Sequence, residues 1–261
     1  MAKHKFDRVT LLITHYNRSK SLEYLLKRCA EEDLEFEEVV ISDDGSKPEH
    51  LAYVKQLQET YLFKLITTPV NKGLGNNINK GQDAVNTPYT LYVQEDFEPT
   101  TCFAPNFANA VKLMDEEDWD LIRFYTFPWA PFPYLKEYKY GYAEMLFKQS
   151  LWYLNHLKFR LYSDHPHLRR SNYFEKFGRY LEGERGDPTE YNMCMQFIIN
   201  RGKALLFNGP DLFLHEHGAI EPNTMVRSKW KLSNSFLVSM LRTLYLKGKV
   251  VKSTIQYNKM K

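Results

Sequence analysis

Cysteine is scarce in this chain of 261 residues: Cys29, Cys102 and Cys194 are odd in number and show neither metal-ligand nor disulfide spacing. That excludes a disulfide scaffold and a cysteine zinc site, and leads to the expectation of a cytosolic protein with reduced thiols. Long hydrophobic runs are also missing. The longest candidates, Val9–Ile13 and Phe236–Leu241, fall far short of the ~20 apolar residues that span a bilayer. The basic start (Lys3, Lys5, Arg8) precedes an apolar stretch too short for a signal peptide. Internal repeats, low-complexity tracts and Gly/Ser-rich linkers are absent, so nothing divides the chain into independent modules. Charge of one sign is barely in excess, at a formal +3, while 43% apolar and 26% charged residues exclude a disordered chain.

What is present begins with an alternation of strand-like and helix-like segments. Arg8–Thr14 is an apolar strand; Ser19 can cap a helix whose Leu22, Leu25, Leu26 and Cys29 share one face. Val39–Ser42 reads as a second strand, and Pro48 sits where a second helix begins. Phe63–Thr67, a polar helix to about Val85, and the strand Tyr89–Val93 complete the first hundred residues. Near-continuous apolar strands separated by helices mean a largely parallel sheet covered on both faces. Ligands of such sheets bind beyond the carboxyl ends of the strands. Those ends carry Thr14-His15-Tyr16-Asn17, Asp43-Asp44-Gly45-Ser46, Asn71–Gly75 and Gln94-Glu95-Asp96, four polar clusters expected on one edge.

Adjacent Glu95 and Asp96 repel one another unless solvent or a cation relieves them. The pair therefore reads either as a solvated turn or as a ligand for a hard cation such as Mg²⁺ or Mn²⁺. Asp43-Asp44-Gly45-Ser46 taken alone is a plain turn first; its functional reading is an acidic acceptor for a base N–H or a ribose hydroxyl. Asn71–Gly75 does not match a phosphate loop, and no dinucleotide-binding glycine fingerprint follows the first strand, which disfavours a dehydrogenase.

Taken in order, Leu12–Arg18 (LITHYNR), Val39–Ser46 (VVISDDGS), Asn71–Gly81 (NKGLGNNINKG) and Leu91–Pro99 (LYVQEDFEP) resemble the four N-terminal motifs of family 2 glycosyltransferases of the inverting, bacterial glycan-biosynthesis type. The resemblance implies an α/β protein of the GT-A type: a Rossmann-like mixed, mostly parallel sheet flanked by helices, with a helical, aromatic-rich acceptor half. It implies a nucleotide-sugar donor, most often UDP-linked, lying across the strand ends. Thr14, Tyr16 and Asp43 or Asp44 would hold the base and Glu95 would face the ribose. Asn17, Asn71, Gly73, Asn79 and Gln94 would complete the donor site. Asp96, with Glu95, would hold the Mn²⁺ or Mg²⁺ that bridges the diphosphate. Two positions depart from the family pattern: Gln94 stands where Asp is frequent, and Ile78 where a basic residue often precedes the asparagine matching Asn79. These departures sustain an alternative, a catalytically silent nucleotide- or glycan-binding member of the fold.

On this basis residues 1–100 form the donor half of a single domain, residues 101–225 the acceptor and catalytic half, and residues 226–261 a basic amphipathic C-terminal segment. The second half resembles the family less closely. Fifteen aromatic residues lie between Trp119 and Tyr162, interrupted by Pro128, Pro131 and Pro133. Helical pattern returns around Glu144–Lys158, Asn172–Tyr180 and Thr189–Asn200, the last expected to stop at Gly202. Arg185–Met193 is similar to the acidic loop-to-helix motif that supplies the family's catalytic base; Glu190 is the match, with Asp187 and Glu184 nearby. A plain helix start, capped by Asp187 or Thr189 with Glu190 favouring the dipole, accounts for the same residues. Past the strand-like Asp211–Leu214 stand His215 and His217, of which His217, beside Gly218, is the candidate to complete the metal shell. The polar stretch Tyr162–Arg170 is expected to line the acceptor site, with arginines for an anionic group.

The last 36 residues hold nine basic side chains and no acidic one, leaving 26 basic against 32 acidic in residues 1–225. Trp230, Leu232, Phe236, Leu237, Met240, Leu241, Leu244 and Leu246 form a helical apolar stripe among these cations. It suits either packing on the body or peripheral contact with an anionic membrane, at its inner face if the acceptor is a lipid-linked glycan. No nucleic-acid motif accompanies the charge.

Overall fold

The computed structural model describes residues 4–216, 219–222 and 236–261. Among them runs a nine-stranded sheet in the order β3-β2-β1-β4-β9-β6-β10-β8-β7. Its strands are β1 (His4–His15), β2 (Leu34–Asp43), β3 (Lys64–Thr67), β4 (Tyr89–Gln94), β6 (Leu121–Arg123), β7 (Leu135–Glu137), β8 (Tyr142–Met145), β9 (His167–Arg170) and β10 (Ala204–Phe207). The strands run parallel except β9 and β8, which oppose both of their neighbours. A short pair, β5 (Phe97–Pro99) with β11 (Phe213–His215), stands beside the main sheet. The α/β architecture expected from the sequence is therefore what the chain adopts.

Period-two burial on the central strands makes two cores. Leu11 and Ile13 of β1, with Leu91 and Val93 of β4, pack under α1 (Ser19–Glu31) and α4 (Phe103–Glu116). Leu12 and Tyr92 turn to the other face, under α3 (Leu74–Gln82) and α6 (Gly186–Ile199). The helices α2 (Pro48–Leu57) and α5 (Tyr173–Phe177) are short, and α7 (Phe236–Met260) closes the chain. Among the described residues no helix is long and apolar enough to cross a membrane.

Several local expectations are corrected. Ser19 does not cap α1; the Glu221 carboxylate, two hundred positions away, accepts the amides of Lys20 (2.8 Å) and Ser21 (2.9 Å). Glu144–Lys158 is not a helix: Glu144 lies in β8, and only His156–Phe159 forms a single 3₁₀ turn. Its apolar period misleads because Leu151 and Trp152 are exposed, 84% and 89%, instead of packed. Conversely, the polar Tyr162–Arg170 stretch contains β9, buried mid-sheet. Arg169 is fully buried, donating to Gln82 Oε1 at 2.7 and 3.1 Å, and Arg170 donates to the carbonyls of Trp119, Met114 and Glu117. Those two arginines hold the sheet together and are not at hand for an anion.

Candidate functional site

Strand register assembles the expected edge. Thr14 lies opposite Ser42 on one side and Gln94 on the other, and His15 opposite Asp43. Beyond the ends of β1 and β2 the turns are tied to each other. The Asn17 amide donates to Ser46 Oγ (2.8 Å), and Asn17 Oδ1 accepts the Lys47 amide (2.8 Å), with Asn17 itself at φ 55°. Asp43 is fully buried and accepts from His15 Nδ1 (2.8 Å), the Ser46 amide (3.1 Å) and Thr67 Oγ1 (2.9 Å). Burial penalises its charge, yet these donors hold it well below the ordinary carboxylate range. Asp44 accepts the amides of Lys72 (2.8 Å) and Gly73 (2.9 Å), fixing the Asn71–Gly75 loop, while burial pushes its carboxyl upward. Gly45 makes this closeness feasible: at φ +66° a Cβ would sit 2.4 Å from the Val70 carbonyl carbon.

The predicted donor residues thus divide. Asp43, Asp44 and Asn17 are tied into the edge and shape it. Thr14 is buried with its hydroxyl 3.0 Å from Tyr92 Oη, and Asn79 reaches away to Tyr180 and Glu182. Tyr16, Gln94 and Glu95 are half-buried, and Asn71 is exposed, along the rim.

Glu95 and Asp96 do come together with positive charge, and the nearest cation is Arg18, to which the sequence motifs assign no role. Arg18, 3% exposed, places Nη1 2.6 Å from Asp96 Oδ2 and 4.0 Å from Glu95, and Nη2 3.4 Å from Glu216. His215 Nε2 stands 3.2 Å from the same Asp96 oxygen. Burial and the neighbouring Asp96 raise Glu95 to about 8 against the pull of Arg18. Asp96 goes the other way: burial opposes its charge, but His215 and Arg18 lower it. Its second oxygen, Oδ1, is buried without a hydrogen-bond partner among the described residues. A buried carboxylate oxygen in want of a positive partner, beside a second carboxyl, fits a hard divalent cation held by one or two carboxylates and substrate phosphates. No group of three or more His, Cys, Asp or Glu side chains is arranged around a metal position among the described residues. His217 lies outside those residues.

At the other side of Phe97 stands a second polar cluster. Glu190, in the first turns of α6, is gripped by Arg160 and accepts from Ser163 Oγ at 3.0 Å. Asp187 is exposed in the same first turn and does not join it. Burial opposes the Glu190 charge, but Arg160 and His165 lower its pKa; the adjoining Asp164 carboxyl is pushed well up by burial and by Glu190. His165 Nδ1 lies 2.9 Å from Ser163 Oγ, its ring walled by Phe97, Tyr125 and Phe127 at centroid distances of 5.8, 5.3 and 4.7 Å. Phe97 also packs on His215 at 4.7 Å, so one ring separates the two clusters. Arg18 ends the Leu12–Arg18 motif, and Ser163-Asp164-His165 lies in the polar stretch expected at the acceptor site. Neither carried a role, because their partners are 27 to 198 positions away.

Solved structures of similar shape include S. aureus TarS in complex with UDP-GlcNAc (16% identity, 87% of this chain, 62% of that one, TM-score 0.58). Another is the mannosyltransferase PcManGT from Pyrobaculum calidifontis in complex with GDP-Man and Mn²⁺ (16% identity, 78% and 55%, TM-score 0.54). These likenesses establish the GT-A fold. A cholesterol galactosyltransferase of Borreliella burgdorferi is 25% identical over 124 residues, 48% of this chain. The chain matches only 34% of that relative's length and under two thirds of the solved ones. The model of glycosyl transferase family 2 matches residues 10–178, well over half of the sequence and all four strand-end clusters, and the chain belongs to that family.

Proposed function

We propose that this protein is an inverting glycosyltransferase. It would move a sugar from a nucleotide-diphosphate donor, a UDP-sugar before others, to a hydroxyl of a glycan acceptor. The observation that carries the reading is Asp96 at the carboxyl edge of the sheet, with one buried oxygen unpartnered, a single ring away from the buried Glu190 cluster. UDP-GlcNAc and GDP-Man in the two solved relatives support the donor class. Residues 1–100 would bind the donor: Tyr16, Asn71, Gly73, Gln94 and Glu95 at the rim, on an edge shaped by Thr14, Asn17, Asp43, Asp44 and Asn79. Residues 101–225 would bind the acceptor, and the acidic start of α6, Asp187 and Glu190, would serve the removal of the acceptor's proton.

Asp96 and Glu95 would hold Mn²⁺ or Mg²⁺, with His217 as a further ligand. When bound, the metal neutralises charge on the departing diphosphate. Arg18 holds Asp96 in place and supplies positive charge beside it. Phe127 stacks on Trp129 at 4.6 Å next to His165, a platform for the apolar face of a sugar.

For the acceptor we favour a lipid-linked precursor of a surface polysaccharide, capsule or lipopolysaccharide, at the cytoplasmic membrane face. α7 carries two apolar stripes. Val250 and Tyr257 pack inward, while Leu241, Leu244, Val251 and Ile255, spaced by threes, fours and sevens, are exposed by 50 to 60%. Six cations and no acid occupy residues 236–261, a charge complement to anionic lipid headgroups. The decisive experiment is a screen of nucleotide sugars for Mn²⁺-dependent hydrolysis. Turnover of one donor supports the reading. Metal-independent binding without turnover marks the silent member of the fold instead.

A further inference from the structure

The second cluster contains a hydrogen-bond sequence that fixes one proton. Glu190, ionised against Arg160, can only accept. Ser163 has one hydroxyl proton, and it goes to Glu190 Oε1 (3.0 Å). The Ser163 oxygen is therefore left as an acceptor towards its remaining neighbours. One is the His165 backbone amide (3.4 Å); the other is His165 Nδ1 (2.9 Å). Nδ1 must then carry the ring hydrogen, and Nε2 keeps a bare lone pair. Among the described residues Nε2 makes no hydrogen bond.

We propose that His165 Nε2 is the atom that takes the acceptor's proton, and that Glu190 acts on it through Ser163. The inference rests on the glycosyltransferase reading for its location, and it reassigns the proton acceptor within that site. Position favours His165. Arg160 and Ser163 occupy both oxygens of Glu190, which the Asp164 carboxyl also faces, whereas the His165 ring shares its neighbours Phe97 and Tyr125 with His215, the partner of Asp96. It therefore stands between the proton relay and the place where the diphosphate leaves. Burial lowers His165 to about 4, so the ring is neutral at pH 7 and about as basic as an ordinary carboxylate.

In the step itself the acceptor O–H gives its proton to Nε2 while its oxygen bonds to the anomeric carbon. The bond from that carbon to the diphosphate oxygen breaks, and the electron pair leaves with the nucleoside diphosphate. The resulting imidazolium keeps its Nδ1–H on Ser163 Oγ, which relays the negative charge of Glu190, in a pocket walled by Phe97, Tyr125 and Phe127. Ser163 and Glu190 are positioning residues in this arrangement.

Two independent measurements test it. Long-range ¹H–¹⁵N correlation of ¹⁵N-histidine-labelled protein should show His165, identified by its loss in His165→Gln, as the Nδ1–H tautomer, shifting towards Nε2–H in Ser163→Ala. An Nε2–H ring in the unaltered protein overturns the proposal. In steady-state transfer, His165→Gln should lose a factor of about 10²–10⁴ in kcat. Ser163→Ala should lose kcat with donor KM unchanged, and Ser163→Thr should restore it. Wild-type transfer by Ser163→Ala, alongside an inactive Glu190→Gln, would make Glu190 the direct base and overturn the relay. If no donor is turned over by the unaltered protein, the glycosyltransferase reading fails, while the tautomer result stands by itself.

Discussion

Asn79 and Tyr180 are joined twice: the Asn79 amide donates to the Tyr180 carbonyl at 3.0 Å, and its Oδ1 accepts the Tyr180 backbone amide at 3.0 Å. Both residues are buried. The asparagine of the third motif thus fastens the segment that leads into α6, joining the donor half to the half that carries Glu190. Gly75, one turn earlier, touches the same segment, since a Cβ there would lie 1.9 Å from the Leu181 carbonyl oxygen.

Asn79→Ala removes both bonds and leaves a buried backbone pair unsatisfied. We expect a loss of about 2–4 kcal/mol in urea unfolding. Gly75→Ala should cost as much by displacing Leu181. Unchanged midpoints for both would show that the segment is anchored elsewhere.

Asp96→Asn keeps the shape of the side chain and removes its charge. Mn²⁺-promoted donor hydrolysis should fall by at least a hundredfold, while thermal stability changes little because Arg18 still has Glu95 and Glu216 within reach. Hydrolysis at the original rate would remove Asp96 from the metal assignment.

Glu95 gives a pH dependence of definite sign. Burial and Asp96 hold its proton to about pH 8, whereas the unfolded carboxyl releases it near 4.5. Between those values the unfolded chain binds fewer protons, so this group's contribution to stability falls as pH rises from about 5 to 8. In Glu95→Gln that part of the slope should vanish from melting curves taken across the range. A cation bound there should also release a proton near pH 7, measurable by calorimetry in buffers of different ionisation enthalpy.

The outward stripe of α7 can be tested without disturbing its packed face. Leu244→Asp with Ile255→Asp should reduce co-sedimentation with phosphatidylglycerol vesicles at low salt at least tenfold and leave donor hydrolysis intact. Undiminished sedimentation, or self-association that the substitutions abolish, would assign the stripe to another partner.

Strands and helices of the first hundred residues were legible because each runs on a local period and ends at a local turn. The strand expected at Tyr89–Val93 is β4 at Tyr89–Gln94, and Pro48 opens α2 as its fixed φ requires. β9 was illegible for the opposite reason. His167 and Arg169 read as part of an acceptor-site lining and are buried in the sheet, because Gln82 and a ring of tyrosines satisfy the arginine from distant positions. The exposed Leu151 and Trp152 misled in the same way, since periodicity records a face and not what lies against it.

By itself, then, the sequence determined the order of elements, the four polar clusters and the uneven spread of charge, all properties of neighbours along the chain. Tertiary structure decided which polar groups remain free to act. It tied Asp43, Asp44 and Asn79 to distant segments, set Arg18 against Asp96, and lined up Glu190, Ser163 and His165. A buried charge is tolerated only where partners converge on it, and those partners come from strands and loops that only folding brings within 3 Å.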